Sequence, residues 1–222
     1  MEELFYLILA IIYNILYNIP CQVISEGDVY IMQLLIDRII KDGKVYPGDI
    51  LKVDSFLNHQ MDVELLDEIG REFYRLYGNC EVTKIMTIEA SGIAIACFVA
   101  KYFRVPLLFA KKSKTKNISD DVYSAEIASF THGTVNTAVV SKEYLHSDDK
   151  VLIIDDFLAK GEALNGLIKI AEQAGAEVVG TGTVIEKGYQ GGGDALRAKG
   201  VRVESLAIVD SMTDDGKLTF RN

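Results

Sequence analysis

The sequence predicts an α/β protein built on a doubly wound, mostly parallel sheet that is flanked by helices. The first observation is that apolar runs of strand length alternate with helical runs of ten or more residues after Met32. The second is the segment 82–110, in which "VTKIMT", the nearly all-apolar "GIAIACFVAKYF" and "VPLLFA" predict a strand, a buried helix and a parallel strand. Ligands of such sheets bind beyond the carboxyl ends of the strands, so the loops that follow strands are where function is expected.

Helices in the first half are predicted from the spacing of their apolar residues. The run "MQLLIDRIIKDG" has apolar positions at helical spacing and ends at Gly43. A short extended stretch over 50–60 follows. The next helix begins at about Asp62 and ends at Gly78. Its apolar face consists of Leu65, Leu66, Ile69, Phe73 and Leu76.

The segment 111–146 interrupts this alternation. It is polar, begins with lysines, and then has two extended runs, "VYSAEIASF" and "TVNTAVVS", on either side of the turn-like "THG". We expect an antiparallel excursion or lid. The alternation then resumes with the strand "VLIID", a helix from about Gly161 to Gln173, the strand "AEVVGTGTVIE", a Gly-rich segment with a short helix, and the strand "VRVESLAIV".

We expect residues 1–31 to be an apolar extension of doubtful function before a domain of residues 32–222. The stretch 4–20 is almost wholly apolar, but it contains two asparagines, follows two glutamates, and precedes the first basic residue, Arg38, by many positions. Such flanks are poor for a signal peptide and for a membrane span. Three interpretations stay open: an upstream extension without function, an extra packed helix, or a membrane anchor.

Composition and charge exclude several classes of protein. A hydrophobic fraction of 49% with 25% charged residues is ordinary for a folded globular chain, unlike a disordered or multispan membrane protein. A formal net charge of -9 disfavours a protein that coats nucleic acid. Cys21, Cys80 and Cys97 have no His or Cys partner at metal-ligand spacing, as expected for reduced thiols of a cytoplasmic protein.

The stretch "VLIIDDFLAKGEA", residues 151–163, carries the clearest chemical signal. Its aliphatic residues predict a buried strand, so the two carboxylates after them, Asp155 and Asp156, are expected at the rim of the sheet, facing hydrogen-bond donors. The vicinal hydroxyls of a ribose are such donors. The following "AKGEA" has a glycine free to adopt a positive φ and the start of a helix, which suits a phosphate monoester. Alternatively, the aspartates cap the next helix and the glycine makes an ordinary turn.

This motif resembles the phosphoribosyl pyrophosphate (PRPP) binding motif of the type I phosphoribosyltransferases: four hydrophobic residues, two acidic, two hydrophobic, and a small-residue turn. The stretches "LKVDSFLNHQ", "TIEASGIA", "FAKKSK" and "VIEKGYQ" resemble, in order and spacing, the bacterial xanthine-specific branch of that family. The resemblance covers Met32 to the C-terminus. It implies the type I phosphoribosyltransferase fold with a small hood and a flexible lid, and a cytoplasmic homodimer.

The resemblance also implies which residues bind PRPP. Asp155 and Asp156 would contact the ribose hydroxyls as catalytic residues. The small-residue turn would wrap the 5-phosphate with Ala159, Lys160, Gly161, Glu162 and Ala163. The loop "EASG" resembles the pyrophosphate loop, which assigns Ala90, Ser91 and Gly92 to the diphosphate. A short Ser-Gly loop that caps a helix is common, so the structural interpretation of this loop stays open.

A cluster of four lysines follows the strand that ends at Ala110: Lys111, Lys112, Lys114 and Lys116. Such clusters usually form a solvated face. Here they begin where a strand ends, at the base of the expected lid, where a leaving pyrophosphate needs neutralising. We therefore expect Lys111 to be catalytic.

Other residues are assigned to the acceptor base. By resemblance, Lys187 would reach the exocyclic oxygen at purine position 6, and Phe157 would stack near the base. Leu51 and Asn58 would face the oxygen at position 2. A lysine only donates, so it favours a 6-oxopurine over adenine. An Asn amide serves an oxygen or an amino group by flipping, so xanthine over guanine or hypoxanthine follows mainly from the resemblance.

The implied reaction transfers the phosphoribosyl group of PRPP to N9 of xanthine, giving xanthosine 5′-monophosphate and pyrophosphate in purine salvage. Catalysis would come from positioning and from leaving-group stabilisation by lysines, amides and Mg²⁺ bound with PRPP, without direct metal ligation by the protein. Xanthine and PRPP would be the partners, with no nucleic acid and no membrane. Two alternatives are kept: a hypoxanthine/guanine phosphoribosyltransferase, and a regulator that senses PRPP without catalysis.

Overall fold

The computed structural model describes residues 26–112, 121–129, 134–213 and 215–221. Its helices are α1 (Glu26–Asp42), α2 (Val63–Tyr77), α3 (Gly92–Phe103), α4 (Glu162–Ala174) and α5 (Gly192–Ala198). Its strands are β1 (Lys44–Tyr46), β2 (Ile50–Lys52), β3 (Lys84–Ile88), β4 (Leu107–Ala110), β5 (Val122–Ser129), β6 (Thr134–Ser141), β7 (Lys150–Leu158), β8 (Glu177–Lys187), β9 (Val203–Met212) and β10 (Leu218–Phe220).

Six strands form the central sheet, in the order β10-β9-β8-β7-β3-β4. All neighbours pair in parallel except β10, which runs antiparallel to β9. Alternate residues of β7 supply the two cores: Leu152 and Ile154 pack with α1, α2 and α3 on one face, whereas Val151 and Ile153 pack with α4 on the other. The doubly wound, mostly parallel sheet predicted from the sequence is confirmed.

The helix α2 begins and ends where its sequence predicts. The Asp62 side chain accepts a hydrogen bond from the backbone N–H of Leu65 at 3.2 Å, and Gly78 follows the last helical residue. The face that carries Ile69 and Phe73 is fully buried against the sheet. Local signals suffice here because cap, apolar stripe and stop all agree.

The stretch 50–60 is not extended throughout, which corrects the sequence prediction. After the short strand β2, residues Asp54–Asn58 form a single helical turn, in which the N–H groups of Phe56 and Leu57 both donate to the carbonyl of Val53. Both side chains are fully buried in one core. A strand would send adjacent side chains to opposite faces, so a helical turn is needed to bury both together.

The first helix also differs from its prediction. It begins at Glu26, six residues before Met32. Residues 1–25 lie outside the described residues, so the division into an extension and a domain at Met32 stays a prediction. Within the described ranges, no helix is both long and apolar enough to cross a membrane.

Two antiparallel hairpins flank the sheet. The hairpin β1–β2 corresponds to the expected hood, and β5–β6 confirms the expected antiparallel excursion. The second hairpin lies on α4, where the Gln173 side chain bonds both the N–H and the carbonyl of Ser124, at 3.2 and 2.8 Å. The turn "THG" and the lysines Lys114 and Lys116 lie outside the described residues.

A glycine on β8 lets α2 pack directly on the sheet. A Cβ at Gly182 would lie 2.5 Å from Cε1 of Phe73 and 2.8 Å from Cδ1 of Ile154. We expect Gly182→Ala to lower the free energy of unfolding by roughly 1–3 kcal/mol, because overpacking forces both neighbours to shift. Urea unfolding measures this change. The double variant Gly182→Ala/Phe73→Leu should recover part of the loss, and a single variant as stable as wild type would contradict the close packing.

Candidate active site

Three loops meet at the carboxyl end of the sheet, as the parallel topology predicts. The loop after β7 contacts the loop before α5, since the N–H of Gly192 donates to the carbonyl of Ala159 at 3.1 Å. The loop after β3 lies against β7, since a Cβ placed on Gly92 would be 3.2 Å from Oδ1 of Asp155. These contacts join the three loops into one site.

The aspartate pair is buried within β7, which corrects its expected position at the rim. Asp155 is 4% exposed and Asp156 9% exposed. The missing donors are backbone groups: the N–H of Asp156 donates to Oδ1 of Asp155, and the N–H of Phe157 donates to Oδ1 of Asp156, each at 3.0 Å. Nδ2 of Asn58 also donates to Oδ2 of Asp156, at 3.4 Å. Neither aspartate caps the following helix, whose first turn has Gly161 before it.

Burial gives Asp155 an unusual protonation equilibrium. Loss of solvent raises the pKa of its carboxyl well above the ordinary value, and the charge of Asp156 raises it further. The charge of Lys112 acts in the opposite direction and lowers it. A ligand that brings hydroxyl donors or positive charge to this carboxylate therefore favours its ionised form.

The segment Ala159–Ala163 has the geometry of an anion-binding turn. Gly161 adopts the left-handed conformation, with φ of 81°, and α4 begins at the next residue. Within the described part of the chain, no side chain caps this helix, so the N–H groups of its first turn are available to a phosphate. Lys160 is exposed and Glu162 is half-buried. This turn fits the predicted 5-phosphate cradle.

The segment Glu89–Gly92 forms the second candidate anion loop. The Glu89–Ala90 peptide is cis, and the Ser91 side chain does not cap α3. Oε1 of Glu89 accepts the N–H of Lys112 at 2.6 Å, which joins this loop to the end of β4. A side chain at Gly92 would collide with Oγ1 of Thr87, so the loop needs glycine there. The Ser91 side chain thus does not cap α3, and the assignment of this loop to the diphosphate stays a prediction.

Lys111 and Lys112 occupy different places. The backbone of Lys111 forms a two-bond bridge to Val139 of β6, at 3.0 and 2.9 Å, and its side chain lines a groove beside β4. Lys112 is the lysine whose charge reaches Asp155. The catalytic role expected for Lys111 stays a prediction, and Lys112 joins it as a candidate.

The residues assigned to the base lie between the hood and the ends of β7 and β8. Nζ of Lys187 is 5.7 Å from the ring centroid of Phe157 and donates to the carbonyl of Asp49 at 2.6 Å. Burial lowers the pKa of the Lys187 ammonium. Leu51 is buried in the hood strand β2, and Asn58 leans on Asp156. Contacts thus join Lys187 to Phe157 and to the hood, and Asn58 to the aspartate pair.

Sequence reasoning missed the carbonyl of Asp49, which holds Lys187 in place. Asp49 is a non-glycine residue in the left-handed conformation, with φ of 62°, and follows Gly48, with φ of 85°. The pair "GD" is a turn signal, and it could have located the hairpin. It could not have indicated a contact between residues 138 positions apart.

Comparison with protein families identifies this arrangement. The phosphoribosyl transferase domain family matches residues 53–214, a range that contains the aspartate pair, both anion loops and Lys187. The chain belongs to the phosphoribosyltransferase family. The sequence resemblance to this family is therefore confirmed.

Relatives of this phosphoribosyltransferase match it over nearly their whole length. A xanthine phosphoribosyltransferase of Lachnoclostridium phytofermentans is 59% identical over 191 residues, which are 86% of this chain and 98% of the relative. One from Ruminiclostridium cellulolyticum is 56% identical over 189 residues, covering 85% and 99%.

Solved structures confirm the fold of this phosphoribosyltransferase. Adenine phosphoribosyltransferase from Giardia lamblia, complexed with 9-deazaadenine, has a TM-score of 0.68 at 22% identity, covering 78% of this chain and 96% of that one. The enzyme from Trypanosoma brucei has a TM-score of 0.69 at 18% identity, covering 82% of each chain. At such identities the likeness establishes the type I phosphoribosyltransferase fold alone.

Proposed function

We propose that this phosphoribosyltransferase transfers the phosphoribosyl group of PRPP to N9 of xanthine, giving xanthosine 5′-monophosphate and pyrophosphate in purine salvage. The observation that carries the proposal is the placement of Lys187 beside Phe157, the residue that directly follows the aspartate pair on β7. An ammonium only donates, so it rewards an oxo group on the base and rejects the amino group of adenine. The names of the relatives that are 59% and 56% identical support xanthine as the 6-oxopurine.

The donor end of the site suits PRPP. Asp155 and Asp156 accept hydrogen bonds from the ribose hydroxyls, and the N–H groups that start α4 bind the 5-phosphate. The segment Glu89–Gly92 holds the diphosphate. One substrate then spans both anion loops, with its ribose between them.

The reaction exchanges one bond at the anomeric carbon. The bond from C1′ to the pyrophosphate oxygen breaks, the bond from N9 to C1′ forms, and the proton of the base leaves to solvent. Positive charge develops on the ribose ring while negative charge grows on the leaving group. The carboxylates of the pair stabilise the ribose ring, and Lys111 and Lys112 stabilise the pyrophosphate.

Magnesium fits this chemistry as a companion of PRPP. Among the described residues, no group of three His, Cys, Asp or Glu side chains could hold a metal ion. PRPP itself supplies the hard oxygen atoms that Mg²⁺ prefers, so the ion needs no direct ligand from the protein. When bound, Mg²⁺ would neutralise charge on the diphosphate.

We also propose that the enzyme works as a cytoplasmic homodimer, as its family resemblance implies. The edge strand β4 supports this proposal, because Phe109 on that strand is 38% exposed beside a groove that Tyr144, 55% exposed, also lines. Sedimentation velocity would test it.

The alternatives differ in acceptor or in catalysis. A hypoxanthine/guanine phosphoribosyltransferase would use the same PRPP site, and Asn58 would serve either substituent at position 2. A PRPP-sensing regulator would bind PRPP without turnover and would need a surface for nucleic acid, which the net charge of -9 disfavours.

Steady-state kinetics with PRPP, MgCl₂ and each of xanthine, hypoxanthine, guanine and adenine test the function. We expect kcat/KM to be highest for xanthine and lowest for adenine. A preference for hypoxanthine or guanine would overturn the acceptor. PRPP-sensitive binding of duplex DNA without any turnover would overturn the enzyme.

A further inference from the structure

A buried carboxylate stands directly before the lysine that contacts the base. Glu186 is 1% exposed, and its oxygens accept hydrogen bonds from Arg197 at 2.8 and 3.1 Å and from the Ser205 hydroxyl at 2.6 Å. Burial raises the pKa of Glu186, but the hydrogen bonds of Arg197 and Ser205 outweigh it and hold that pKa below its usual value. The carboxylate is thus ionised and fully paired, although the reaction does not use it.

The partner of Glu186 belongs to α5. Arg197 donates through both of its terminal nitrogens, a fork geometry that fixes direction as well as distance. At the start of the same helix, a side chain at Gly193 would collide with Oε1 of Glu186. The ion pair therefore holds α5 close to the end of β8.

The other side of α5 supports the 5-phosphate turn. The N–H of Gly192 donates to the carbonyl of Ala159, and a Cβ at Gly192 would lie 2.7 Å from the backbone nitrogen of Gly161. Leu196 approaches the same glycine, with its Cδ1 3.5 Å from where a Gly161 Cβ would be. A shift of α5 would move the phosphate turn with it.

We propose that Glu186 and Arg197 are positioning residues that couple the PRPP site to the base site. Glu186 is the chain neighbour of Lys187, and α5 backs the phosphate turn, so one ion pair determines where both substrates are held. This inference rests on the proposed function for the identity of the substrates. Neither residue touches substrate in this arrangement.

Asn165 offers a variant that loosens the phosphate turn without touching the Glu186–Arg197 pair, although its Oδ1 also accepts a hydrogen bond from the exposed Lys199 ammonium at 3.1 Å. Asn165 lies on α4, and its Nδ2 donates to the carbonyl of Gly161 at 2.9 Å. Asn165→Ala should loosen the turn and leave Lys187 in place. The variant should therefore weaken the binding of PRPP without weakening the binding of xanthine.

The test measures KM for PRPP and for xanthine, and dissociation constants by calorimetry with PRPP and MgCl₂ or with xanthine. We expect Arg197→Met to raise the dissociation constants of PRPP and of xanthine, and the corresponding KM values, roughly tenfold or more. Small displacements of positioned groups have effects of that order. Asn165→Ala should raise the PRPP constant alone. Asp194→Asn is the matched control, because Asp194 contacts Arg197 at 3.3 Å from the exposed side, and it should change neither constant by more than about twofold.

A second variant guards against misfolding. Arg197→Met leaves a buried charge without its partner, whereas Glu186→Gln/Arg197→Met leaves none, and it should fold while still weakening both substrates. If the pair were only structural, its removal would lower the melting temperature or the active fraction. The constants for PRPP and for xanthine would then be unchanged in the folded enzyme. Unchanged constants in the double variant, or a loss confined to one substrate, would overturn the coupling. A failure of the proposed function would be distinguishable from a failure of the coupling. The wild type would then prefer another base, and the ratios of variant to wild-type constants would be measured with that base.

Discussion

Asp155→Asn is expected to abolish most turnover and yet to stabilise the free protein at neutral pH. The loss should reach roughly 10²-fold or more in kcat/KM, because a neutral amide loses the charge-assisted bonds to the ribose and the stabilisation of its developing positive charge. Initial rates with PRPP and xanthine measure it. Activity equal to wild type would mean that this carboxylate does not hold the ribose.

The gain in stability follows from the burial of Asp155. Its folded pKa is raised, first by loss of solvent and then by the charge of Asp156, so the folded state holds a proton that the unfolded state releases. Below the ordinary pKa of aspartate, Asp155 is protonated in both the folded and the unfolded state, and its contribution to stability is fully present. As pH rises from there through the raised folded pKa, that stability is lost.

Asparagine removes this pH dependence because it does not titrate. We expect the variant to be more stable than wild type at pH 7 and to differ least near pH 4. Thermal unfolding across that range measures the difference. Asp148→Asn is the matched control, since Asp148 is exposed in the turn before the same strand. A variant less stable than wild type at pH 7 would contradict the burial argument.

Local signals explain why much of the fold was predictable. The helix α3 spans the predicted Gly92–Phe103, and α2 lies between its Asp62 cap and Gly78. By contrast, the turn at Asp54–Asn58 forms because Phe56 and Leu57 share one core, and that core is assembled by distant elements. The strand β10 was not predicted at all, since three residues paired only to one edge carry almost no pattern of their own.

The site divides in the same way. The turn at Gly161 and the start of α4 were predictable because both lie within thirteen contiguous residues. The burial of the aspartates was not, because their donors are the backbone N–H groups of Asp156 and Phe157, and the sequence does not show how these groups are oriented. The Asp49–Lys187 contact and the Glu186–Arg197 pair join residues that are distant in the sequence. No local sequence pattern could therefore predict them.

Lys187→Met should separate base recognition from PRPP binding. Methionine keeps an apolar stem near Phe157 and removes the ammonium, which is the donor proposed for the 6-oxo group. We expect kcat/KM for xanthine to fall by roughly 10²-fold or more, because a site built to hydrogen-bond its substrate discriminates strongly when that bond is lost. The dissociation constant of PRPP with MgCl₂ should stay within about twofold, since Lys187 lies outside both anion loops.

The control for Lys187→Met must account for the hood, because Lys187 also bonds the Asp49 carbonyl. Lys52→Met removes a lysine of the hood hairpin itself, one whose ammonium lies 5.2 Å from the Tyr46 ring, and it should leave the binding of both substrates unaffected. If Lys187→Met acted only by freeing the hood, adenine and xanthine would lose kcat/KM equally. A donor to the 6-oxo group predicts instead that the preference for xanthine over adenine narrows, because adenine never gained from that ammonium. An unchanged ratio between the two bases would contradict the assignment of Lys187.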